Sequence, residues 1–310
     1  MLKFLKYLSS LLLFILVLAF LYHQYSLIKE KKLLTSSIGQ RVEVDGKQMN
    51  VYVAGNGPKT LVFLSGSGTS SPILDFKSLY SKLVKDYRVV VVEKFGYGFS
   101  DDWSKHRDLD TILSQTRKAL QKADVKGPYV LLPHSMSGLE AMHWSASYPK
   151  EVEAIIGLDM SLPQAFDKYR ANQLLYKTLQ LAANLGLSRW LYSPDKEIHS
   201  LSNDSLNLKE RSIYKALFYR RPLSNAIIKE AEEVKSNAKL VKQDKVTAIP
   251  YLLFVSNGQG TGFAKQEWQD MSKDFAKDHK NVQLKSFDVP HYIHSYIPDE
   301  LAKEIRKFLK

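Results

Sequence analysis

Residues 1–35 contain an apolar stretch of about the length that a membrane-spanning helix needs. Leu11–Leu21 has no polar residue, and only Ser9 and Ser10 interrupt the longer run Tyr7–Tyr22. Sixteen helical residues with a rise of about 1.5 Å each span roughly 24 Å, and the flanking tyrosines suit the membrane interface. We therefore predict an N-terminal transmembrane helix and a short linker within residues 1–35.

A cleaved signal peptide is the alternative for this segment, because Lys3 and Lys6 precede the apolar run. No A-x-A cleavage site follows, since Ala19 is succeeded by Phe-Leu-Tyr. Lysines also follow the run, so the positive charge on its two sides is nearly balanced. We expect an uncleaved, single-pass membrane protein whose folded domain lies outside the cytoplasm.

After residue 35, short apolar runs alternate with segments of helical periodicity. Alternating apolar positions in Arg41–Ala54, with Asp45-Gly46 at the turn, predict a β-hairpin. Continuous apolar runs predict strands buried on both faces at Leu61–Leu64, Val89–Val92, Tyr129–Leu132 and Ala154–Leu158. Helical spacing separates them at Ile73–Val84, Leu109–Ala123 and Gly138–Tyr148. The alternation predicts an α/β fold with a mostly parallel sheet.

Residues 163–246 interrupt this alternation. Three segments there have helical periodicity and none has a strand pattern: Leu174–Leu187, Leu208–Tyr219 and Ala226–Val241. Strands are predicted again at Tyr251–Val255 and Val282–Phe287, and helices at Gln266–His279 and Leu301–Leu309. We therefore predict a core made of residues 36–162 and 247–310, with residues 163–246 inserted as a helical lid.

Composition excludes several classes of function. The 310 residues include no cysteine, which rules out disulfides, thiol nucleophiles and cysteine-ligated metals. The formal net charge is +12, but lysine and arginine are spread along the chain without a nucleic-acid-binding motif. The segment SGSGTSS lacks the G-K-[ST] ending of a phosphate loop. We expect a monomer without cofactor or metal and without a nucleic-acid partner.

Ser135 is the strongest candidate for chemistry. It lies between a predicted buried strand and a predicted helix in the segment YVLLPHSMSGLEAMHW. A serine at such a turn exposes its hydroxyl at the carboxyl end of the sheet. The N–H of Met136, at the start of the helix, is placed to stabilise an oxyanion. The alternative is a structural role as a helix N-cap.

This segment resembles the nucleophile elbow of the α/β-hydrolase fold family, G-x-S-x-G, with Pro133 and Ser137 at the glycine positions. LVFLSGSG resembles the family's strand before the oxyanion hole, which implies the N–H of Ser67 as the second donor. VVVVEKFGYGFSD resembles a further family segment, with Glu93 at the strand end. The resemblance covers nearly all of the chain outside the anchor and the lid. It implies an α/β-hydrolase sheet with helices on both faces.

The resemblance also implies a base in the loop before the last helix. His291 aligns with the family's Gly-His pair, and His294 with a second histidine that usually supports the loop. The family's acid usually follows the strand written here as YLLFV, but the loop SNGQGTGFAK has no carboxylate, and Gln259 or a neighbour stands there. Some members carry the acid one strand earlier, where this chain has Asp159. We expect Asp159 to orient His291; capping the turn into the lid is its alternative role.

These residues imply a serine hydrolase that acts on a small or lipophilic carboxylic ester through Ser135, His291 and Asp159. Two alternatives stay open. A proline-iminopeptidase-like aminopeptidase would need an acidic site for the substrate amine. A non-catalytic, membrane-tethered binding protein with a hydrolase fold would account for the missing acid after Val255.

Overall fold

A computed structural model of the protein describes residues 1–245 and 247–310. Eight strands form one sheet: β1 (Gln40–Val44), β2 (Lys47–Ala54), β3 (Thr60–Leu64), β4 (Arg88–Glu93), β5 (Tyr129–Ser135), β6 (Val152–Met160), β7 (Tyr251–Val255) and β8 (Val282–Ser286). Their order is β1-β2-β4-β3-β5-β6-β7-β8. The β1–β2 and β2–β4 pairs are antiparallel and all later pairs are parallel, which confirms the predicted fold class.

The helices lie at α1 (Leu2–Lys31), α2 (Pro72–Asp75), α3 (Lys77–Leu83), α4 (Leu109–Lys122), α5 (Ser137–Ser147), α6 (Gln173–Asn184), α7 (Ser188–Leu191), α8 (Pro194–Glu197), α9 (His199–Ser202), α10 (Leu208–Arg220), α11 (Asn225–Gln243), α12 (Lys265–Asp278), α13 (Ile293–Tyr296) and α14 (Pro298–Phe308). The prediction of one continuous helix at Ile73–Val84 was wrong, because a turn at Phe76 divides this segment into α2 and α3. This turn buries the Phe76 ring against Phe63 and His294, with centroids 5.2 and 4.7 Å away.

The continuous apolar runs are explained by helices on both faces of the sheet. Along β4, Val89 and Val91 face one hydrophobic cluster, and Val90 and Val92 face the other. Successive strand side chains point to opposite faces, so a strand covered on both sides must be apolar at every position. The cluster that contains Val90 and Val92 includes residues of helices α4, α5, α11 and α12. The cluster that contains Val89 and Val91 includes residues of helices α2, α3 and α14.

The segment between β6 and β7 is helical, and its two ends differ in how they meet the core. Helix α11 packs into the main cluster and its Glu230 accepts hydrogen bonds from Arg107 at 2.8 and 3.2 Å and from Tyr97 at 2.5 Å. Helix α6 buries only Ala183. Val246, the last residue of the predicted lid, lies outside the described residues.

The second half of helix α1 packs with one side against this inserted segment. The Arg189 guanidinium donates to the Glu30 carboxylate at 2.6 and 2.7 Å and to His23 Nδ1 at 2.9 Å. The Tyr22 and Trp190 rings lie 5.7 Å apart. In the described part of the chain, α1 is the one helix that is long and apolar enough to cross a membrane.

Candidate active site

Ser135 ends β5 in a backbone conformation that is unusual for a residue with a side chain. Its φ is +54°, and α5 begins two residues later at Ser137. A non-glycine residue is uncommon in this left-handed region and is strained there, so its surroundings must hold the turn in place. The turn places half-buried Ser135 in the wall of a cavity of about 640 Å³ at the carboxyl ends of the strands.

Two glycines make room for this turn. A Cβ atom on Gly66 would lie 2.6 Å from Ser135 Cβ, and one on Gly138 would lie 2.4 Å from the Ser161 carbonyl oxygen. The close approach of α5 to β6 is therefore made at Gly138 rather than at the preceding position. Ser137 uses its hydroxyl instead, donating to the Leu64 and His134 carbonyl oxygens at 2.7 and 2.9 Å.

Asp159 and His291 are in direct contact, from the end of β6 and the loop before α13. His291 Nδ1 lies 2.5 Å from Asp159 Oδ2. Asp159 has a φ of +53°, which turns its buried carboxylate toward the ring. With Nδ1 donating to this carboxylate, Nε2 is the ring nitrogen that accepts.

Three further donors surround the Asp159 carboxylate. The Ser256 N–H and hydroxyl donate at 2.7 and 2.6 Å, and Trp268 Nε1 donates at 2.8 Å. A buried carboxylate needs such partners because it has lost its hydration. The backbone donor comes from the neighbouring strand end and not from the turn into the inserted segment, so Asp159 does not serve as a cap of that turn.

The serine and the histidine share one cavity. Ser135 and His291 both line it, together with Ser67 and Met136. The Ser135 hydroxyl donates no hydrogen bond to the His291 ring in the described structure. In hydrolases without substrate this contact is often long, and it tightens when substrate binds. The N–H groups of Ser67 and Met136 donate to no backbone acceptor among residues 1–245 and 247–310. Two unused donors therefore flank the hydroxyl.

The other histidines near the site are packing partners. Burial and then the neighbouring His291 lower the pKa of His294 to about 3. Its ring nitrogens have no hydrogen-bond partner among the described residues. Burial likewise lowers the pKa of His134 well below its usual range, and its ring lies 4.6 Å from that of His291. Neither residue has the carboxylate contact that distinguishes His291.

The amide side chains of Asn257 and Gln259, in the loop that follows β7, do not bind the His291 ring. Asn257 Nδ2 donates to Asp288 at 3.2 Å, and the Gln259 carbonyl oxygen accepts from the His291 backbone N–H at 2.9 Å. Gln259 thus fixes the loop through its backbone rather than orienting the imidazole.

Comparison with known proteins agrees with this architecture. A family model described as alpha/beta hydrolase fold matches residues 59–246. The uncharacterized protein YbdG of Bacillus subtilis (strain 168) is 36% identical over 98% of this chain and 95% of its own length. The chain belongs to the α/β-hydrolase fold family. The resemblance found in the sequence is thereby confirmed.

Solved structures of other hydrolases share the fold. An epoxide hydrolase of Bacillus megaterium has a TM-score of 0.65 at 15% identity, covering 87% of this chain and 99% of that chain. A serine hydrolase involved in carbazole degradation has a TM-score of 0.59 at 13% identity, covering 88% and 99%. At these identities the similarity establishes the fold alone.

Within this α/β-hydrolase, sequence reasoning missed Ser256 and Trp268. A serine directly after a strand is common in loops, and Trp268 lies on α12, far from Asp159 along the chain. Only the parallel pairing of β6 with β7 brings both to the carboxylate. No local signal in the sequence marks them.

The packing of Gly66 generates a testable prediction. Gly66→Ala places a methyl group 2.6 Å from Ser135 Cβ, so we expect the free energy of unfolding to fall by about 1–3 kcal/mol. Thermal and denaturant unfolding of the full-length protein in detergent measures the change. Ser65→Ala is the matched control, because the buried Ser65 hydroxyl has no partner among the described residues and its loss should cost little. Equal stability of the Gly66 variant and the parent protein would contradict the packing.

Proposed function

We propose that this hydrolase cleaves carboxylic esters through a triad of Ser135, His291 and Asp159. The observation that carries the proposal is the 2.5 Å contact of His291 with buried Asp159, in the wall of the cavity where the strained turn presents Ser135. A helix cap needs neither a histidine held by a carboxylate nor a shared cavity. The arrangement instead has the parts of nucleophilic acyl transfer.

In the proposed reaction, His291 Nε2 takes the proton of the Ser135 hydroxyl while the oxygen attacks the ester carbonyl carbon. The N–H groups of Ser67 and Met136 donate to the developing oxyanion, and Asp159 stabilises the imidazolium that forms. The alcohol leaves with the proton from His291. Water, deprotonated by the same imidazole, then attacks the acyl-enzyme and releases the acid, which returns Ser135 to its starting state.

The wall of the cavity favours an uncharged, lipophilic acyl group. Its apolar residues include Phe166, Tyr169, Val234, Phe263 and Met271. A drug-sized ligand fits a cavity of about 640 Å³. Ser135 also distinguishes this site from those of hydrolases with a carboxylate nucleophile, which open epoxides or displace halides.

The aminopeptidase alternative has weaker support. Two carboxylates, Asp167 and Glu267, line the cavity among the described residues, and both are exposed. Asp167 is already paired with Lys242 at 2.5 Å. A substrate ammonium group would meet no buried, unpaired carboxylate there. The binding-protein alternative rested on the absence of an acid after Val255, and the contact of Asp159, from the end of β6, with His291 Nδ1 weakens that argument.

We also propose that α1 anchors the hydrolase in a membrane, with a single pass and the folded domain outside the cytoplasm. Its first half is exposed along most of its circumference, including Phe4, Leu8, Leu12 and Phe14. So much apolar surface on one helix is costly in water and is satisfied in a bilayer.

The first functional prediction concerns the nucleophile. Ser135→Ala removes the attacking oxygen and should lower p-nitrophenyl butyrate hydrolysis by at least about 10³-fold. The thermal melt should stay close to that of the parent protein, because the variant loses one hydroxyl. Undiminished hydrolysis in the alanine variant would refute the assignment.

The second concerns the base and the acid. His291→Ala should lower kcat by about 10³- to 10⁴-fold, and His294→Ala, at a ring without hydrogen bonds, by less than about tenfold. Asp159→Asn should approach the His291 effect, because a neutral amide supports the imidazolium poorly and favours the other tautomer. Steady-state kinetics on purified variants decides the order. A larger loss in the His294 variant would show that the wrong histidine has been chosen.

The third concerns anchoring. Full-length protein should sediment with membranes, resist washing with high salt or carbonate, and enter solution in detergent. Deleting residues 1–35 should release the rest of the protein from the membrane. Its solubility should be lower, because the deletion exposes the part of the inserted segment that packs against α1. A soluble, shortened species that begins near residue 23 would show that the segment is a cleaved signal peptide.

A further inference from the structure

The inserted segment carries large apolar side chains that are exposed on two consecutive helices, α6 and α7. We call Leu174, Leu175, Leu179, Leu181, Trp190 and Leu191 the apolar face; they are 46% to 81% exposed. Single exposed leucines are ordinary, but six large apolar side chains on two consecutive helices form a patch of the kind that marks an interaction site.

Helix α6 has its apolar side outward. Leu174 and Leu181 are seven residues apart, and Leu175 and Leu179 are four apart, so these side chains share one broad side of the helix. Its single buried residue is Ala183. A surface helix in water normally turns its leucines toward the core. The inverted arrangement of α6 favours an apolar environment outside the protein.

The position of α1 identifies that environment. Trp190 lies beside Tyr22, the residue that ends the apolar run of α1. A Cβ atom on Gly186 would lie 2.9 Å from the Ala19 carbonyl oxygen, so the chain just before α7 touches α1 directly. Arg189 fixes the same place through its two bonds to Glu30. The apolar face is therefore held where α1 would leave the hydrocarbon, the level that tryptophan and tyrosine prefer.

We propose that α6 and α7 lie in the interfacial region of the bilayer that α1 enters, with the apolar face among the acyl chains, and that the substrate is an amphiphilic ester taken from that bilayer. The placement of the helices rests on the proposed anchoring by α1. The substrate class rests, in addition, on the proposed esterase activity.

The cavities support an entrance from this side. Phe166–Tyr169, which precede α6, line the main cavity. Tyr192 and Ile198, which follow α7, line a second cavity of about 370 Å³. Both cavities include Gly260, His291 and Tyr292. The chain segments that flank α6 and α7 in sequence thus line two cavities that meet at the proposed base.

Basic side chains near α6 suit the headgroups of such a bilayer. Lys168, Arg170 and Lys177 are exposed along the approach to the helix and on it. Positive side chains next to an apolar surface favour binding to anionic lipid. A second copy of the chain is the competing occupant of the apolar face, but it would not explain the continuity with α1.

Trp190 gives a direct test without added labels. The chain has four tryptophans; Trp103, Trp144 and Trp268 are 7%, 0% and 4% exposed, whereas Trp190 is 67% exposed. Full-length Ser135→Ala protein is reconstituted into phosphatidylcholine vesicles with or without lipids brominated near the headgroup end of the acyl chains. We expect bromolipid to quench a substantial share of the fluorescence, and Trp190→Phe in the same background to reduce that quenching at least fivefold.

The outcomes separate the two proposals. Co-flotation with the vesicles reports anchoring, and quenching reports the apolar face; neither needs catalysis. If the protein floats but shows no Trp190-dependent quenching, the interfacial placement is wrong. The placement is also wrong if the protein cross-links as a dimer that buries Trp190 and bromolipid does not quench it. A protein that does not float overturns the anchoring and this inference together.

Hydrolysis tests the substrate class with a matched control. Leu174→Ser with Leu181→Ser should lower hydrolysis of a vesicle-embedded p-nitrophenyl palmitate at least fivefold and leave soluble p-nitrophenyl acetate within twofold. Leu208→Ser should change neither: Leu208 is 84% exposed at the first residue of α10, near Glu210, which binds Lys77 of α3, and it is not part of the apolar face. Parallel loss on both esters, or no loss on the embedded one, overturns the claim that substrate comes from the bilayer. Failure of the parent protein on every ester would instead refute the esterase activity.

Discussion

The contact between Asp159 and His291 is the interaction on which the rest of the site depends. Burying a carboxylate is costly unless hydrogen-bond donors replace its water. Here four donors contact the Asp159 carboxylate: the Ser256 N–H, the Ser256 hydroxyl, Trp268 Nε1 and the His291 ring. The carboxylate therefore joins the end of β7, helix α12 and the loop before α13. Without it, nothing in the described structure would hold the His291 ring by its Nδ1.

Parallel strand order brings these parts together. Strands β5, β6 and β7 are neighbours, so Ser135, Asp159 and Ser256 all lie at the carboxyl edge of one sheet. Ser135 and Asp159 both have a positive φ, which costs on the order of 1–2 kcal/mol each for residues with a side chain. The close approach of Gly66 to Ser135 is part of the packing around the first of these two turns. Strain at two adjacent strand ends is the kind of feature that accumulates at functional sites.

The sequence predicted the parts whose pattern is local. Runs such as Val89–Val92 indicate strands buried on both faces, and the strand–serine–helix order around Ser135 indicates the elbow. The break at Phe76 could not be predicted, because it depends on the distant rings of Phe63 and His294. The donors to Asp159 and the packing of Arg189 on α1 are equally tertiary. The choice of Asp159 came from family resemblance, and its catalytic role stays a proposal.

The most direct test of the central claim is to locate a covalent adduct. The full-length protein is incubated with a fluorophosphonate, digested, and examined by mass spectrometry, with heat-denatured protein as the control. The account predicts one phosphonylated site, Ser135, in the folded protein and none after denaturation, because reactivity requires His291 held by Asp159. A folded protein that stays unmodified, or that carries the adduct on another residue, would contradict the account.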